Sequence, residues 1–195
     1  MFAKPLVIVS LALLGLLAPA HAMDLSKPVV LVAKPELRDR FYGATILVAT
    51  PLGDGQHVGF IINRPTTVTL GMIFPEHGPS QKIKEPVYLG GPVDTQILFA
   101  LVNRRENPGG HSLELMPGLF AAFDADVVDR IIEAEPGRAR FVAGLVAWGA
   151  GELQSEVQHG AWYVMKGDPE LILRNPEGLW EELVRRSVAM RMAGA

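Results

Sequence analysis

Glycine and proline divide this chain into short apolar segments, and this division limits the folds that it can adopt. The 195 residues include 20 glycines and 15 prolines, spread along the sequence. Both residue types disfavour the interior of helices and strands, so regular elements have to be short. Apolar runs of about four to eight residues between such breakers are typical of buried strands. The sequence therefore predicts many short strands connected by turns.

Nine apolar segments fit this description, and we predict a strand for each of them. They span residues 29–33, 44–50, 58–63, 86–89, 97–103, 113–115, 119–123, 140–146 and 161–165. Gly53, Asp54 and Gly55 separate the second segment from the third, which is typical of a β-hairpin.

The predicted helices each follow a residue that can cap a helix. They follow Thr69 (residues 70–74), Asp124 (ending at Ala134), Asp168 with Pro169 (residues 170–173), and Asn175 with Pro176, where Leu179, Trp180, Leu183 and Val184 form an apolar stripe. Strands outnumber these helices and do not alternate with them regularly. This order favours the α+β class over a doubly wound parallel sheet.

The first 22 residues have the three parts of a secretory signal peptide. Lys4 precedes an apolar run at residues 6–17, and Ala20 and Ala22 place small residues at a cleavage site. The run of 12 residues is too short to cross a bilayer, which takes about 20 helical residues. We therefore expect cleavage after Ala22, a single domain over residues 23–195 without a transmembrane segment, and a periplasmic or secreted protein. Translation from Met23 would instead give a cytoplasmic chain.

Charge and cysteine content exclude several classes of function. The formal net charge is −3, and loss of Lys4 with the leader makes it −4. This acidity argues against direct nucleic-acid binding, which needs a basic surface to neutralise phosphates. The chain has no cysteine, so disulfides, thiolate nucleophiles and cysteine-ligated metals are excluded.

The histidines and serines give no recognisable catalytic or metal-binding motif. The histidines after the leader are His57, His77, His111 and His159, and none has the spacing of a helical metal site. We predict that they are exposed in loops. No serine lies in a G-x-S-x-G motif, and no glycine-rich cofactor motif is present. The sequence therefore predicts neither a metal nor a cofactor.

Five segments, in order, resemble the motifs of the AlgH/YqgE family of bacterial proteins. They are LVAKPELRD (31–39), GFIINRPT (59–66), VYLGGPV (87–93), AWGAGEL (147–153, followed by Glu156) and LWEEL (179–183). The resemblance implies an α+β fold with a mixed, bifurcated sheet, a small barrel-like core and surrounding helices. Some family members have been linked to transcriptional regulation. Two histidines of the family motifs are missing here, and Glu152 replaces a glutamine.

Polar and glycine residues of these motifs are the candidates for a ligand site. They are Asn63, Arg64, Pro65, Gly90, Gly91, Trp148, Glu152 and Glu156. Asparagine and arginine at a strand end can hold a carboxylate or phosphate. The same residues can instead stabilise turns, with Arg64 paired to Glu152 or Glu156, and the glycines can allow close backbone approach. Both interpretations remain open from sequence.

We predict a non-catalytic regulatory or binding protein of the AlgH/YqgE type. Its partner would be a small anionic ligand or another protein. One alternative is a small hydrolase that uses Arg64 and a carboxylate in a pocket. Another alternative is a transcriptional regulator, if translation starts at Met23 and the protein is cytoplasmic.

Overall fold

The computed structural model describes residues 24–193, so the predicted leader lies outside the described residues. The strands are β1 (Val29–Ala33), β2 (Ile46–Gly53), β3 (Gln56–Ile61), β4 (Pro65–Thr69), β5 (Pro86–Leu89), β6 (Val93–Asn103), β7 (Ser112–Met116), β8 (Leu119–Ala122), β9 (Ala139–Trp148) and β10 (Trp162–Lys166). The α-helices are α1 (Leu70–Ile73), α2 (Gly78–Lys82), α3 (Ala125–Ala134), α4 (Glu152–Gln158) and α5 (Leu179–Ala193). Short 3-10 helices span Pro136–Arg138 and Pro169–Leu173.

The strands form one curled sheet in the order β10-β1-β2-β3-β9-β6-β8-β7, with β4 and β5 on a branch. Neighbouring strands are antiparallel except β5 and β9, which run parallel. The sheet curls so far that β7 approaches β2, which closes a half-barrel. The structure confirms the predicted α+β fold with a mixed sheet and a barrel-like core.

The sheet forks along one edge of β9. Val142 and Ala143 pair with β5, whereas residues 146–148 pair with β3. The opposite edge of β9 pairs with β6 between Ala139 and Leu145. One edge of β9 therefore changes its neighbour from β5 to β3 within a few residues. This change of neighbour is the predicted bifurcation of the sheet.

Apolar residues fill both sides of the curled sheet. Val58 and Phe60 of β3 point into the barrel, where Leu179 and Leu183 of α5 also pack. Ile61 of β3 belongs to a separate cluster with Leu153 of α4. Helix α3 covers a third cluster on the β6–β8 part of the sheet. Alternate residues of β3 thus serve different cores, as expected for a strand buried on both faces.

Helix α5 is fixed to the barrel by an indole. The indole Nε1 of Trp180 donates a hydrogen bond to the backbone oxygen of Ala33, with a distance of 2.8 Å. Ala33 ends β1, so this bond joins the C-terminal helix to the first strand. The apolar stripe predicted from the sequence is the buried side of α5, where Leu179 and Leu183 are buried.

Candidate functional site

Gly90 and Gly91 lie at the fork of the sheet and allow the closest backbone contacts there. The amide of Gly90 donates to the oxygen of Ala143, and its own oxygen accepts from Ile61, both at 2.8 Å. One residue thereby joins β9 to β3. A Cβ atom on Gly91 would lie 2.0 Å from the carbonyl carbon of Leu145, which no side chain permits. Only glycine fits at these two positions, because the backbone of β9 lies where a Cβ atom would be.

Asn63 and Arg64 fix the chain as it passes from β3 to β4. The Asn63 side chain accepts from the amide of Ile46 at 2.8 Å and donates to the oxygen of Ala44 at 3.0 Å. Nη2 of Arg64 donates to the oxygen of Gly43 at 2.9 Å. Pro65 then begins β4, opposite Tyr88 of β5.

The expected pairing of Arg64 with Glu152 or Glu156 is wrong. Among the described residues no carboxylate lies within ion-pair distance of Arg64. Its guanidinium contacts the 41–43 loop instead, and its Cζ lies 5.8 Å from the ring centroid of Phe41. A backbone carbonyl and an aromatic ring take the place of the carboxylate.

Glu156 of α4 joins two tryptophans. Its Oε2 accepts from the indole of Trp148 at 3.1 Å and from that of Trp162 at 2.7 Å. Burial raises the pKa of Tyr42, and the negative charge of Glu156 raises it further. Oε2 of Glu152 accepts from the amide of Gly149 at 2.8 Å and so supports the turn before α4. Both carboxylates therefore hold the α4 segment in place.

The eight residues predicted from the sequence to form a ligand site fall into two groups. Asn63, Arg64, Pro65, Gly90 and Gly91 surround the sheet fork. Trp148, Glu152 and Glu156 belong to the turn and helix that follow β9. Both groups reach the same loop. Arg64 contacts Phe41 and Gly43, and burial together with the charge of Glu156 raises the pKa of Tyr42, which lies between these two residues in the sequence.

The turn and helix of the second group contribute Gly151 and Gln154 to a cavity of about 410 Å³, which we call the hairpin cavity, but none of the eight candidate residues lines it. It lies between the β2–β3 hairpin, the beginning of α4 and the segment that precedes β1. The lining residues are Leu25, Ser26, Pro51, Gly53, Asp54, Gly55, His57, Gly151 and Gln154. Its volume is within the range of small-molecule sites.

His57 is buried in the wall of the hairpin cavity, with 6% of its surface exposed. Its Nε2 lies 2.9 Å from the backbone oxygen of Leu25. Within the described part of the chain its Nδ1 has no hydrogen-bond partner. Buried polar atoms without partners are rare in folded proteins, and this one has almost no surface of its own in the cavity.

The prediction of exposed loop histidines is wrong for His57. His57 pairs with Trp148 in the β3–β9 ladder and lies on the same side of β3 as the buried Ile61. Strand alternation could have revealed this, because His57, Gly59 and Ile61 must face one way. Our predicted strand began one residue later, which left His57 in the turn.

Ser80, His77 and Glu133 form the one serine–histidine–carboxylate series among residues 24–193. Nδ1 of His77 lies 2.7 Å from the Ser80 hydroxyl, and its Nε2 lies 3.7 Å from Glu133. Ser80 is 0% exposed, so a substrate carbonyl has no access to its oxygen. Ser80 lies within α2, and His77 is the N-cap residue of that helix, so their contact belongs to the start of the helix.

A second cavity, of about 260 Å³, is lined by Arg104, Arg105, Glu106, Glu135 and Arg138. Glu135 lies 3.0 Å from Arg104 and 4.0 Å from Arg138. The carboxylate thus compensates the charges of two of the arginines. This arrangement is typical of a solvated ion-pair network.

Between residues 24 and 193, no group of three or more histidine, aspartate or glutamate side chains could hold a metal ion. No helix in that range is long and apolar enough to cross a membrane.

Comparisons with known proteins agree with the fold. A family model described as AlgH-like matches residues 30–190. A UPF0301 protein of Myxococcus xanthus is 33% identical over 165 residues, covering 81% of this chain and 88% of the relative. A UPF0301 protein of Thermobifida fusca is 30% identical over 167 residues, covering 80% of this chain and 84% of the relative.

Two solved structures share the fold. The solution structure of the AlgH protein from Pseudomonas aeruginosa has a TM-score of 0.69 and 24% identity, covering 85% of this chain and 89% of that chain. A crystal structure from Corynebacterium diphtheriae has a TM-score of 0.67 and 19% identity, covering 83% and 86%. At these identities the likeness concerns the fold alone.

Proposed function

The chain belongs to the AlgH-like family, and from this premise we propose that it is a non-catalytic binding protein whose small ligand occupies the hairpin cavity. The observation that carries the proposal is the wall of this cavity, where the apolar Leu25 and Pro51 and the charged Asp54 line one space of small-molecule size. In a regulatory protein, binding of this kind would be the input signal.

The bonds of the other polar residues support a role without catalysis. Glu156 holds two indoles, and Arg64 holds a loop carbonyl. A catalytic carboxylate needs an oxygen that can reach a substrate proton, and a catalytic arginine needs donors free for charge stabilisation. No observation favours the hydrolase alternative over binding.

Filling the mouth of the cavity tests the proposal. Gln154 lines the cavity from the surface of α4, so Gln154→Trp should block entry. Amide NMR spectra of the wild type with a mixture of small amines, alcohols and carboxylates should show shifts at Gly55, His57 and Gly151. We expect Gln154→Trp to lose these shifts.

The matched control is Gln158→Trp, at an exposed position one turn further along α4 that does not line the cavity. This variant should keep the shifts of the wild type. Shifts that persist in Gln154→Trp, or that cluster around Arg64 or Arg104 instead, would refute the hairpin cavity as the binding site.

We also propose that the binding protein works outside the cytoplasm, after cleavage behind Ala22. The three-part pattern of residues 1–22 supports export. N-terminal sequencing of C-terminally tagged protein from a periplasmic extract should find Met23 first. Recovery of the whole pool in the cytosol would refute export and favour the transcriptional regulator.

A further inference from the structure

The tautomer of His57 can be assigned from its one hydrogen bond. Nε2 lies 2.9 Å from the backbone oxygen of Leu25, and a carbonyl oxygen can only accept. Nε2 must therefore carry the hydrogen. In the neutral imidazole Nδ1 is then a lone-pair acceptor, but this atom is itself buried, so His57 closes the wall and other lining groups have to make the polar contacts with a ligand.

The charge of the cavity wall has one sign. Asp54 is the one lining residue with a formal charge, and the described lining includes no lysine or arginine. Among the described residues no cation lies within ion-pair distance of Asp54. The nearby Asp24 differs, because Lys27 lies 3.2 Å from its carboxylate. An anion in the cavity would therefore meet an uncompensated negative charge.

Part of the wall is apolar. Leu25 is buried and Pro51 is half-buried, and both line the cavity. A ligand that fills about 410 Å³ would contact these side chains as well as the acceptors. Apolar area removed from water adds affinity, whereas a bare ammonium ion would leave this surface uncovered.

We propose that the hairpin cavity binds a small organic ammonium compound, a protonated amine joined to an apolar group. Its N–H groups would donate to the Asp54 carboxylate, and its apolar part would cover Leu25 and Pro51. This inference rests on the proposed function and adds the chemical class of the ligand. It differs from the anionic ligand predicted from the sequence, because the arginine behind that prediction contacts a different part of the chain.

Three probes of similar size separate charge from shape. Phenethylammonium, 2-phenylethanol and phenylacetate carry a cation, a neutral hydroxyl and an anion on the same aromatic group. We expect phenethylammonium to bind with a dissociation constant on the order of 1 mM, ordinary for so small a ligand. The alcohol should bind roughly tenfold more weakly, because it forms no charge-assisted hydrogen bond. Phenylacetate should not shift the cavity amides.

Asp54→Asn removes the charge with little change to the backbone. Asp54 has a φ of 49°, in the left-handed region that asparagine tolerates as well as aspartate. The variant should bind phenethylammonium roughly tenfold more weakly and 2-phenylethanol with unchanged affinity. Asp94→Asn is the matched control, since Asp94 has a φ of 51° and does not line the cavity.

The panel distinguishes failure of this inference from failure of the proposed function. Equal binding of the alcohol, or tighter binding of phenylacetate, would overturn the ammonium class and leave the cavity as a binding site. If no probe shifts Gly55, His57 or Gly151, both proposals fail. Phenethylammonium binding on the order of 1 mM that Asp54→Asn weakens roughly tenfold, with Asp94→Asn unaffected, supports both.

Discussion

At the residue scale, contact distances determine which motif glycines can change. Gly91→Ala would place a Cβ atom 2.0 Å from the carbonyl carbon of Leu145, so the backbone of the fork would have to move. We expect a loss of about 3 kcal/mol in the free energy of unfolding, measured by chemical denaturation. Gly78→Ala is the control, because nothing lies within 4 Å of its Cβ position. Equal stability of the two variants would contradict the close approach.

Tyr42 reports the charge of Glu156. Burial is the larger cause of its raised pKa, and Glu156 adds to it. In Glu156→Gln we expect the pKa of Tyr42 to fall and yet stay above its ordinary value of 10.0, as measured by NMR titration of the ring. Glu152→Gln should leave it unchanged. A pKa of Tyr42 that is insensitive to Glu156→Gln would contradict the contact.

The sign of the pH effect follows from the direction of the shift. Because the folded protein holds the Tyr42 proton more tightly than the unfolded chain does, the folded state binds more protons. This contribution to stability is complete below the ordinary tyrosine pKa and is lost as pH rises through the raised value. Because Glu156→Gln lowers the raised pKa of Tyr42, this variant should narrow the pH range between the ordinary and the raised value over which the contribution is lost.

At the scale of elements, two predicted helix caps differ in the structure. The side chain of Asp124 accepts from the amide of Val127 at 3.4 Å, whereas Thr69 makes no such bond to α1. Asp124→Ala should therefore cost about 1 kcal/mol of unfolding free energy, and Thr69→Ala less than about 0.5 kcal/mol. Thermal or urea denaturation measures both. A larger loss in Thr69→Ala would contradict this order.

Strands with continuous apolar sequence could be predicted well. The predictions for residues 29–33 and 86–89 have the bounds of β1 and β5, because these segments are mostly buried between neighbours. Strand β4 was missed because its residues are exposed and mainly threonine. Helix α4 was missed because Leu153 is its one buried residue and glycines precede it. Exposed elements leave little apolar periodicity to detect.

At the scale of the whole molecule, Arg140 connects distant segments across the fork. It is 8% exposed and donates to the oxygens of Ile62 at 2.5 Å and Arg174 at 2.8 Å. Its Cζ lies 4.2 Å from the ring centroid of Tyr88, and burial lowers its pKa. A cation therefore joins β5, β9, the residue that follows β3 and the segment before α5.

Arg140→Met should destabilise the whole fold, because it leaves two carbonyl oxygens without their charged donor. We expect a loss of about 2–4 kcal/mol in the free energy of unfolding, measured with urea. Arg138→Met is the control, since that side chain is 57% exposed and should change stability by less than about 0.5 kcal/mol. A stable Arg140→Met protein would contradict the connecting role.

The motifs indicated the family and the region of the fork, but not the cavity. Asn63, Gly90 and Gly91 do meet at one place, as expected of strand-end residues, and their bonds there are structural. The hairpin cavity depends on how Leu25, the β2–β3 turn and Gln154 meet across the fold. Such distant contacts leave no local pattern, so His57 could not be recognised as a wall residue.

A crystal structure of the protein soaked in the amine, alcohol and carboxylate probes shows directly whether the hairpin cavity holds a ligand. We expect density for phenethylammonium in the hairpin cavity, with its nitrogen about 3 Å from the Asp54 carboxylate. Density for the probes only at other surfaces would contradict the assignment of the hairpin cavity as the ligand site.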